Sequence, residues 1–301
     1  MAATSSKPVD VVSGDQEVAN GVFHYQIVGG SSSDASLELV VMLHGFTLNS
    51  WYMKPLAQAI AQTGRYRVLL FDFLGNGHSV LNKPADFKYT QNFHNSSICE
   101  LLEKLGLWSD SLHPVTVIGH SMGGATAAGL AVHYPKRVSR CVLLDPAGLP
   151  VVIPFSAKLI TAPIIGPLLQ RFAFKQGLMD SAADDFFNKS HPGIAEYHEQ
   201  LQWQMDHTPH YISTIVSTLS NFGLNGGFVE QFDALGKMAD KQVLVVWGDK
   251  DAVCPFETSI PHLQKVLHKA QFVILKYSGH AVTFEAGPQT QEAVLTFLCA
   301  N

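Results

Sequence analysis

Short runs of nearly continuous hydrophobic residues alternate along the chain with segments whose hydrophobic residues recur every three or four positions. The short runs predict buried β-strands, and the recurring spacing predicts amphipathic α-helices. The predicted strands cover residues 22–28, 37–43, 66–73, 115–118, 138–146, 242–248 and 271–277, and the predicted helices cover residues 51–62, 89–105, 125–134, 258–268 and 291–298.

This alternation sets the fold class. Strands that are hydrophobic at successive positions are buried on both faces, so helices must cover each side of the sheet. We therefore predict an α/β fold with a mostly parallel, doubly wound sheet. The alternation stops for about eighty residues after residue 147, which predicts an inserted segment at 148–228 between the two core portions, 21–147 and 229–301. Residues 1–20 are polar and predict a loose tail.

The insertion begins with a very hydrophobic stretch, residues 149–169, which contains a single charged residue, Lys158. Four prolines interrupt this stretch, and a helix broken in this way is a poor membrane span. Two interpretations stay open: a packed surface inside the protein, or a lid that binds acyl chains or touches a membrane. The His, Asp and Glu residues between 191 and 210 match no metal-ligand spacing, so we predict a solvated face.

Composition narrows the class of protein. The chain has 301 residues, of which 47% are hydrophobic and only 15% are charged, which indicates a globular chain and not a disordered one. The net charge is −5 and basic residues are scattered, which argues against a nucleic-acid partner. The four cysteines lack metal-finger spacing and are expected to be free thiols. No hydrophobic signal segment is visible at the N-terminus, so a cytoplasmic location is expected.

The chemically interesting residues follow the ends of predicted strands. The stretch from Val117 to Ala125 reads VIGHSMGGA, with Ser121 between a strand and a helix. A serine at such a turn is held outward as a nucleophile, and small neighbours are needed on both sides, as Gly119 and Gly123 supply. Gly124 lets the helix start close to the sheet. We therefore predict that Ser121 is a nucleophile.

A serine hydroxyl needs a general base to act as a nucleophile. His280 follows the last predicted strand and is the preferred base among fourteen histidines. His120 is adjacent to Ser121, but neighbours across a sharp turn diverge, so we expect it to support packing. His44 and His78 lie in loops at the same edge of the sheet and are second choices.

The base needs a carboxylate that orients it. Asp249 and Asp251 both follow the strand QVLVVWG, and Asp145 ends another strand as a third candidate. The physical chemistry of the sequence does not rank Asp249 against Asp251.

The motifs as a set resemble the α/β-hydrolase superfamily over roughly residues 20–300. They are HGF at 44–46, DFLGNGHS at 72–79, GHSMGG at 119–124, WGDKD at 247–251 and SGH at 278–280. The resemblance implies that Asp251 is the acid of a Ser121–Asp251–His280 triad. It also implies an oxyanion hole formed by the backbone N–H groups of Phe46 and Met122, a helical cap at 148–228, and no need for a cofactor or a metal.

Individual positions separate the branches of the superfamily. Dehalogenases and epoxide hydrolases carry Asp where Ser121 stands. Carbon–carbon-bond hydrolases of ring-cleavage products usually have Asn and Trp where this chain has His120 and Ala281, and proline iminopeptidases usually have Trp in place of Met122. The motifs GHSMGG and HGF are most similar to monoacylglycerol lipases and small carboxylesterases. The stretch LLDPAGL, residues 143–149, also resembles the membrane-associated monoacylglycerol lipases.

The resemblance implies a serine hydrolase that cleaves carboxylic esters through an acyl-enzyme. The hydrophobic insertion suggests a small hydrophobic ester as partner, such as a monoacylglycerol, with peripheral membrane contact through the cap. Two alternatives stay open. One is a carbon–carbon-bond hydrolase, and the other is a small-molecule receptor that keeps the triad without turnover, because a fold alone does not settle function.

Overall fold

The predicted strands form one sheet in a computed structural model that describes residues 9–30, 36–83, 86–108, 112–151 and 174–300. Within these residues the strands are β1 (Val11–Val18), β2 (Gly21–Val28), β3 (Glu38–Leu43), β4 (Tyr66–Phe71), β5 (Val80–Leu81), β6 (Val115–His120), β7 (Val138–Leu144), β8 (Gln242–Gly248) and β9 (Gln271–Leu275). Every strand predicted from hydrophobic runs is present, with ends that differ by a few residues.

Five helices match the segments predicted from the recurring hydrophobic spacing, namely those that begin at Lys54, Gln91, Met122, Phe256 and Gly287. The helices of the described residues are α1 (Lys54–Ala61), α2 (Gln91–Lys104), α3 (Met122–His133), α4 (Phe174–Ala182), α5 (Gly193–His207), α6 (Tyr211–Asn221), α7 (Val229–Lys237), α8 (Phe256–Val266), α9 (Val282–Glu285) and α10 (Gly287–Cys299). Two short 3-10 helices, Ser50–Met53 and Ala183–Asp185, precede α1 and follow α4.

The strand order along the sheet is β1-β2-β4-β3-β6-β7-β8-β9, with the short β5 paired beside β2. The strands from β4 to β9 along this order pair in parallel, whereas β2 runs antiparallel to β1, β4 and β5. Parallel neighbours require crossover connections, and helices supply most of them. The mostly parallel sheet predicted from the sequence is therefore confirmed.

Hydrophobic cores lie on both faces of the sheet. Val41 and Leu43 of β3 pack into one core together with residues of α2 and α3. Val40 and Met42 of the same strand pack into the other core, with residues of α1 and α10. Successive side chains of a strand point to opposite faces, so a strand between two cores must be hydrophobic at every position. The doubly wound architecture is thus confirmed.

The prediction of a loose tail at residues 1–20 is wrong for its second half. Val11–Val18 forms β1, which pairs antiparallel with β2 from Val11 against Val28 to Val18 against Gly21. Most side chains of β1 are exposed, because the strand lies at the edge of the sheet. An edge strand needs few hydrophobic residues, so the hydrophobic pattern does not predict it. Backbone hydrogen bonds to β2 hold β1 in the sheet.

The described part of the insertion at 148–228 contains the helices α4 to α6, and α7 follows the insertion before β8. Most of the hydrophobic stretch at 149–169 lies outside the described residues, and with it the two interpretations of that stretch. Further along, Gln204 of α5 accepts a hydrogen bond from Gly77 N and donates one to Thr47 O, each 2.9 Å long. The Trp51 indole donates to Glu196 at 2.9 Å. These bonds hold α5 against the loops at the carboxyl ends of β3 and β4.

No helix in the described part of the chain is both long enough and hydrophobic enough to cross a membrane.

Candidate active site

Ser121 occupies the turn between β6 and α3 in a strained conformation. Its φ is 53° and its ψ is −117°, outside the regions that L-residues usually adopt. The turn is held by bonds of the Ser121 backbone, whose N–H donates to Leu144 O at 2.9 Å and whose carbonyl accepts from Ala147 N at 3.0 Å. Leu144 is the last residue of β7, and Ala147 lies in the loop that follows it. The strand next to the turn therefore imposes the backbone geometry that a nucleophilic serine needs.

Two glycines make this turn sterically feasible. A Cβ on Gly119 would lie 2.0 Å from the carbonyl oxygen of Gly123. A Cβ on Gly123 would lie 2.3 Å from the carbonyl oxygen of Leu43, at the end of β3. Both obstacles are backbone atoms and cannot rotate away. Positions 119 and 123 therefore need glycine, as expected from the sequence.

Backbone N–H groups beside Ser121 could hold an oxyanion. Met122 is the first residue of α3, so its N–H has no partner within the helix. Phe46 follows β3, the strand that pairs with β6, and its N–H donates to no backbone oxygen among the described residues. The helix N-terminus adds positive potential at the same place.

Asp251 and His280 are bonded to each other inside the protein. His280 Nδ1 lies 2.8 Å from Asp251 Oδ2, and the exposed fractions of the two residues are 2% and 5%. The other oxygen, Asp251 Oδ1, accepts the N–H groups of Val253 at 2.8 Å and Cys254 at 2.9 Å. The aspartate is therefore a hydrogen-bonded carboxylate that fixes the orientation of the imidazole.

The charges around His280 favour its protonated form. Burial lowers the pKa of His280, but the charge of Asp251 and its hydrogen bond raise that pKa, and the charges of Asp185 and Asp145 add to this, giving a value of about 9. An imidazolium formed at His280 during a reaction would be stabilised by the same carboxylates.

The other histidines near the site have structural contacts. His120 Nε2 lies 2.9 Å from the carbonyl oxygen of His280 and 3.3 Å from the Tyr52 hydroxyl. Burial lowers the pKa of His120 well below its usual value, so its ring is neutral. The two histidine rings lie 4.8 Å apart, which links the Ser121 turn to the His280 loop. His120 thus supports the loop, in line with the packing role expected from the sequence.

His44 and His78, the second choices for the base, have other partners. His44 Nε2 accepts the N–H of Phe73 at 2.9 Å, and His44 Nδ1 lies 2.9 Å from Gly45 O. Both ring nitrogens are therefore occupied, and burial lowers the pKa of His44 to about 4. The ring of His78 lies 4.4 Å from the ring of Trp203 on α5.

The three candidate acids occupy different positions. Asp249 accepts the N–H of Tyr277 at 2.7 Å and faces Lys276 at 3.4 Å, on the outer side of the turn. Asp251 faces His280. Asp145 is completely buried behind Asp251, and Gly248 N donates to its Oδ1 at 2.9 Å. The structure thus brings Asp251 against His280 and turns Asp249 away from it.

Residues of the insertion and of the 3-10 helix before α1 complete the surroundings of His280, and no motif in the sequence marks them. Asp185 accepts a hydrogen bond from the Tyr197 hydroxyl, and its carbonyl oxygen accepts the N–H of Ala281 at 2.8 Å. The ring of Tyr197 packs 6.1 Å from that of Tyr52. Asp185 lies some hundred residues from His280, and no motif marks it.

Cys254 lies beside this pair. Its Sγ, an oxygen of Asp251 and a ring nitrogen of His280 all fall within 4.8 Å of one another, the one such group of potential metal ligands in the described part of the chain. Asp251 and His280 already bond each other there, and burial raises the pKa of the Cys254 thiol well above its usual value. A metal needs the thiolate, so these contacts disfavour binding. That the site has no metal stays a prediction.

Comparison with known proteins adds the family context. The family model described as "alpha/beta hydrolase fold" matches residues 38–287. The chain is similar to Lipase 1 of Psychrobacter immobilis, with 25% identity over 90% of this chain and 80% of the lipase. It is also similar to a 2-hydroxy-6-oxononadienedioate/2-hydroxy-6-oxononatrienedioate hydrolase of Pseudomonas sp, with 25% identity over 98% of this chain and 97% of that enzyme.

Solved structures share the fold. The enol-lactonase from Burkholderia xenovorans superposes with a TM-score of 0.75 and 19% identity, over 95% of this chain and 99% of the lactonase.

Proposed function

Because the chain belongs to the α/β hydrolase fold family, we propose that it is a serine hydrolase that cleaves carboxylic esters through an acyl-enzyme. Hydrolase activity is supported by its relatives. The observation that carries the proposal is the strained turn at Ser121 together with the buried Asp251–His280 pair, 2.8 Å apart. A strained nucleophile, a base and an orienting carboxylate are the parts that acyl transfer requires.

The proposed reaction begins when Ser121 Oγ attacks the ester carbonyl. His280 Nε2 takes the hydroxyl proton, and Asp251 holds the proton on Nδ1, so that Nε2 is the free acceptor. The tetrahedral intermediate places its negative oxygen against the N–H groups of Phe46 and Met122. Fixed donors of this kind contribute roughly 3–4 kcal/mol each, because they need no reorganisation during the reaction.

The ester C–O bond then breaks, and the leaving alkoxide takes the proton from His280 Nε2. Water attacks the acyl-enzyme and gives its proton to the same nitrogen. The tetrahedral intermediate collapses, the acid departs, and Ser121 Oγ regains its proton. No electron acceptor or metal is needed for these steps.

A hydrophobic or fatty-acyl substrate, such as a monoacylglycerol, is the proposed substrate class. Two features support it. The insertion begins with the hydrophobic stretch at residues 149–169, and the lipase from Psychrobacter immobilis is among the similar proteins. The same hydrophobic stretch supports a further part of the proposal, a peripheral membrane contact through the cap.

An acyl-chain-length series of p-nitrophenyl esters tests this function. We expect steady multiple turnover by the wild type, rising from short to medium or long chains, and a loss of kcat of at least about a thousandfold in Ser121→Ala. Ser220→Ala is the matched control, because Ser220 is an exposed serine on α6 whose hydroxyl donates, among the described residues, to Val216 O of its own helix. A single slow turnover together with a ligand-dependent shift in Tm would instead favour a receptor.

A carbon–carbon-bond hydrolase is the second candidate, and the similarity to the Pseudomonas hydrolase over 98% of this chain favours it. His120 and Ala281 depart from the residues usual in that branch. The direct comparison is kcat/KM for a dienoate ring-cleavage product, followed by its visible absorbance, against kcat/KM for the best ester. A higher value for the dienoate would replace ester hydrolysis as the proposed activity.

A further inference from the structure

Asp145 is a buried acid that the proposed reaction does not use. It directly follows β7, has an exposed fraction of 0% and a φ of 42°. Its N–H donates to Val246 O at 3.0 Å, and its Oδ1 accepts the N–H of Gly248 at 2.9 Å. Its second oxygen, Oδ2, has no donor among the described residues. A buried oxygen without a partner is costly and calls for an explanation.

The side chain of Asp251 supplies that explanation. Gly248, which binds Asp145 through its N–H, also accepts the N–H of Asp251 at 3.2 Å, so the two acids flank one turn. Burial raises the pKa of Asp145, and the charge of Asp251 and its interaction with the Asp145 side chain both raise that pKa further. Two ionised carboxylates repel each other in a buried site, whereas a single proton between them forms a strong bond.

The hydrogen bonds decide which acid carries the proton. Asp251 accepts three N–H groups, from Val253, Cys254 and His280, and each of them favours the ionised form. Asp145 accepts only the N–H of Gly248 among the described residues. Burial, and then the charge of Asp251, raise the pKa of Asp145 well above its usual value. The proton therefore belongs on Asp145.

We propose that Asp145 is held as a neutral carboxylic acid, that its Oδ2–H donates to Asp251, and that it is a positioning residue of the triad. The assignment of the proton rests on the burial and the hydrogen bonds of the two acids and does not depend on the reaction. The effect on the reaction rests on the proposed function.

A neutral Asp145 would keep His280 usable as a base. The charges of Asp251, Asp185 and Asp145 together bring the pKa of His280 to about 9, at which the imidazole is protonated and cannot accept the Ser121 proton at neutral pH. A neutral Asp145 removes one of these charges. Its O–H also draws electron density from Asp251 and makes that carboxylate less basic. Both effects lower the pKa of His280.

Four titratable groups lie close enough to act electrostatically with Asp145: Asp251, His280, Cys254 and Tyr52. Burial raises the pKa of the Cys254 thiol and of the Tyr52 hydroxyl well above the usual values, so both stay neutral. His280 is therefore the only group of these four that becomes positive, and it is already bonded to Asp251.

Infrared difference spectroscopy tests the proton directly. We expect wild-type protein at neutral pH to show the carbonyl band of a buried carboxylic acid, and Asp145→Asn to lack it. Asp185→Asn is the matched control, because Asp185 is another acid near His280 whose pKa is raised by burial, and we expect this variant to keep the band. Absence of the band from the wild type, or its survival in Asp145→Asn, would overturn the proposal. This measurement does not depend on turnover.

Kinetics test the positioning role. An Asn at position 145 can donate its N–H₂ to Asp251 and accept the N–H of Gly248 with its oxygen. Asn also tolerates the positive φ of this position. We expect Asp145→Asn to keep kcat within about threefold of the wild type and to leave the acidic limb of the pH profile in place. Asp145→Leu lacks the donor, so we expect at least a tenfold loss of kcat and an alkaline shift of that limb.

Two outcomes would contradict the positioning role. A downward shift of the acidic limb by about one pH unit in Asp145→Asn would show that a charge had been removed. An unchanged pH profile in a folded Asp145→Leu would show that the donor is not needed. If Asp145→Leu does not fold, the pH profile of Asp145→Asn still tests the positioning role, and the infrared band still tests the protonation state of Asp145. If the wild type lacks ester turnover but keeps the band, the proposed function fails and the assignment of the proton stands.

Discussion

Replacing Asp251 by Asn tests the triad most directly. Asp251 Oδ2 accepts the Nδ1 proton of His280 at 2.8 Å, and Oδ1 accepts the N–H groups of Val253 and Cys254. An Asn keeps its single oxygen on those two N–H donors and turns its N–H₂ toward His280. His280 Nδ1 must then be the acceptor, so the proton of the imidazole moves to Nε2.

The magnitude follows from this exchange of tautomers. A protonated Nε2 cannot take the proton of Ser121, and the charge that stabilises an imidazolium is also lost. We expect kcat to fall by about 10³–10⁴, the size of loss seen when a triad acid becomes an amide. This corresponds to roughly 4–5.5 kcal/mol of transition-state stabilisation. KM should change by less than about threefold, because Asp251 touches no substrate.

The assay is the initial rate with the best p-nitrophenyl ester, measured for the wild type, Asp251→Asn and Asp249→Asn. Asp249 is the matched control because it lies two residues away and accepts the Tyr277 N–H on the outer side of the same turn. We expect Asp249→Asn to keep kcat within about threefold of the wild type. A loss confined to Asp249→Asn, with Asp251→Asn active, would refute the assignment of the acid.

Three further predictions concern stability, measured by urea titration. Gly123→Ala should lower the free energy of unfolding by roughly 1–3 kcal/mol, because the new Cβ would lie 2.3 Å from a backbone oxygen of β3. Gly177→Ala in α4 is the control: the space around it is open, so this change should raise the free energy of unfolding by up to about 1 kcal/mol. Tyr66→Phe removes a 2.7 Å bond to the carbonyl of Leu298 and should cost about 1 kcal/mol by the same measurement. Burial lowers the pKa of His94 from 6.5 to about 3, so the unfolded chain binds more protons and stability is lost as pH falls below 6.5. In His94→Phe the unfolding free energy should therefore depend less on pH, by up to about 1.4 kcal/mol per pH unit between pH 6.5 and about pH 5, and an unchanged slope would show that His94 is not buried in its neutral form.

The fold could be predicted from the hydrophobic pattern because a strand that is buried on both faces is hydrophobic at successive positions. β3 is buried at five successive positions, and β8 at six, so neither strand can be mistaken for an amphipathic edge. β1 left no such trace. Its residues are mostly exposed, and its place is fixed by backbone bonds to β2 that any side chains permit. The hydrophobic pattern of a sequence cannot predict a strand, such as β1, that is held mainly by backbone hydrogen bonds.

The Ser121 turn was also readable, because its steric demands act between near neighbours. A Cβ on Gly119 would meet Gly123 within the motif, and a Cβ on Gly123 would meet Leu43 of β3, the strand paired with β6, so both requirements appear as glycines beside Ser121. The acid was not readable in this way. Asp249 and Asp251 are separated by one residue, and only the path of the turn after β8 directs one side chain to His280 and the other to Tyr277 N.

The sequence by itself determined the alternating α/β order, the strained serine turn and the histidine after the last strand, because these depend on local periodicity and local space. The tertiary structure alone decided what surrounds His280. Asp145, Asp185 and Asp251 come from separate parts of the chain and converge there because parallel strands end at one edge of the sheet and the insertion folds over that edge. Burial and mutual charge then set their protonation, and these act through space rather than along the chain.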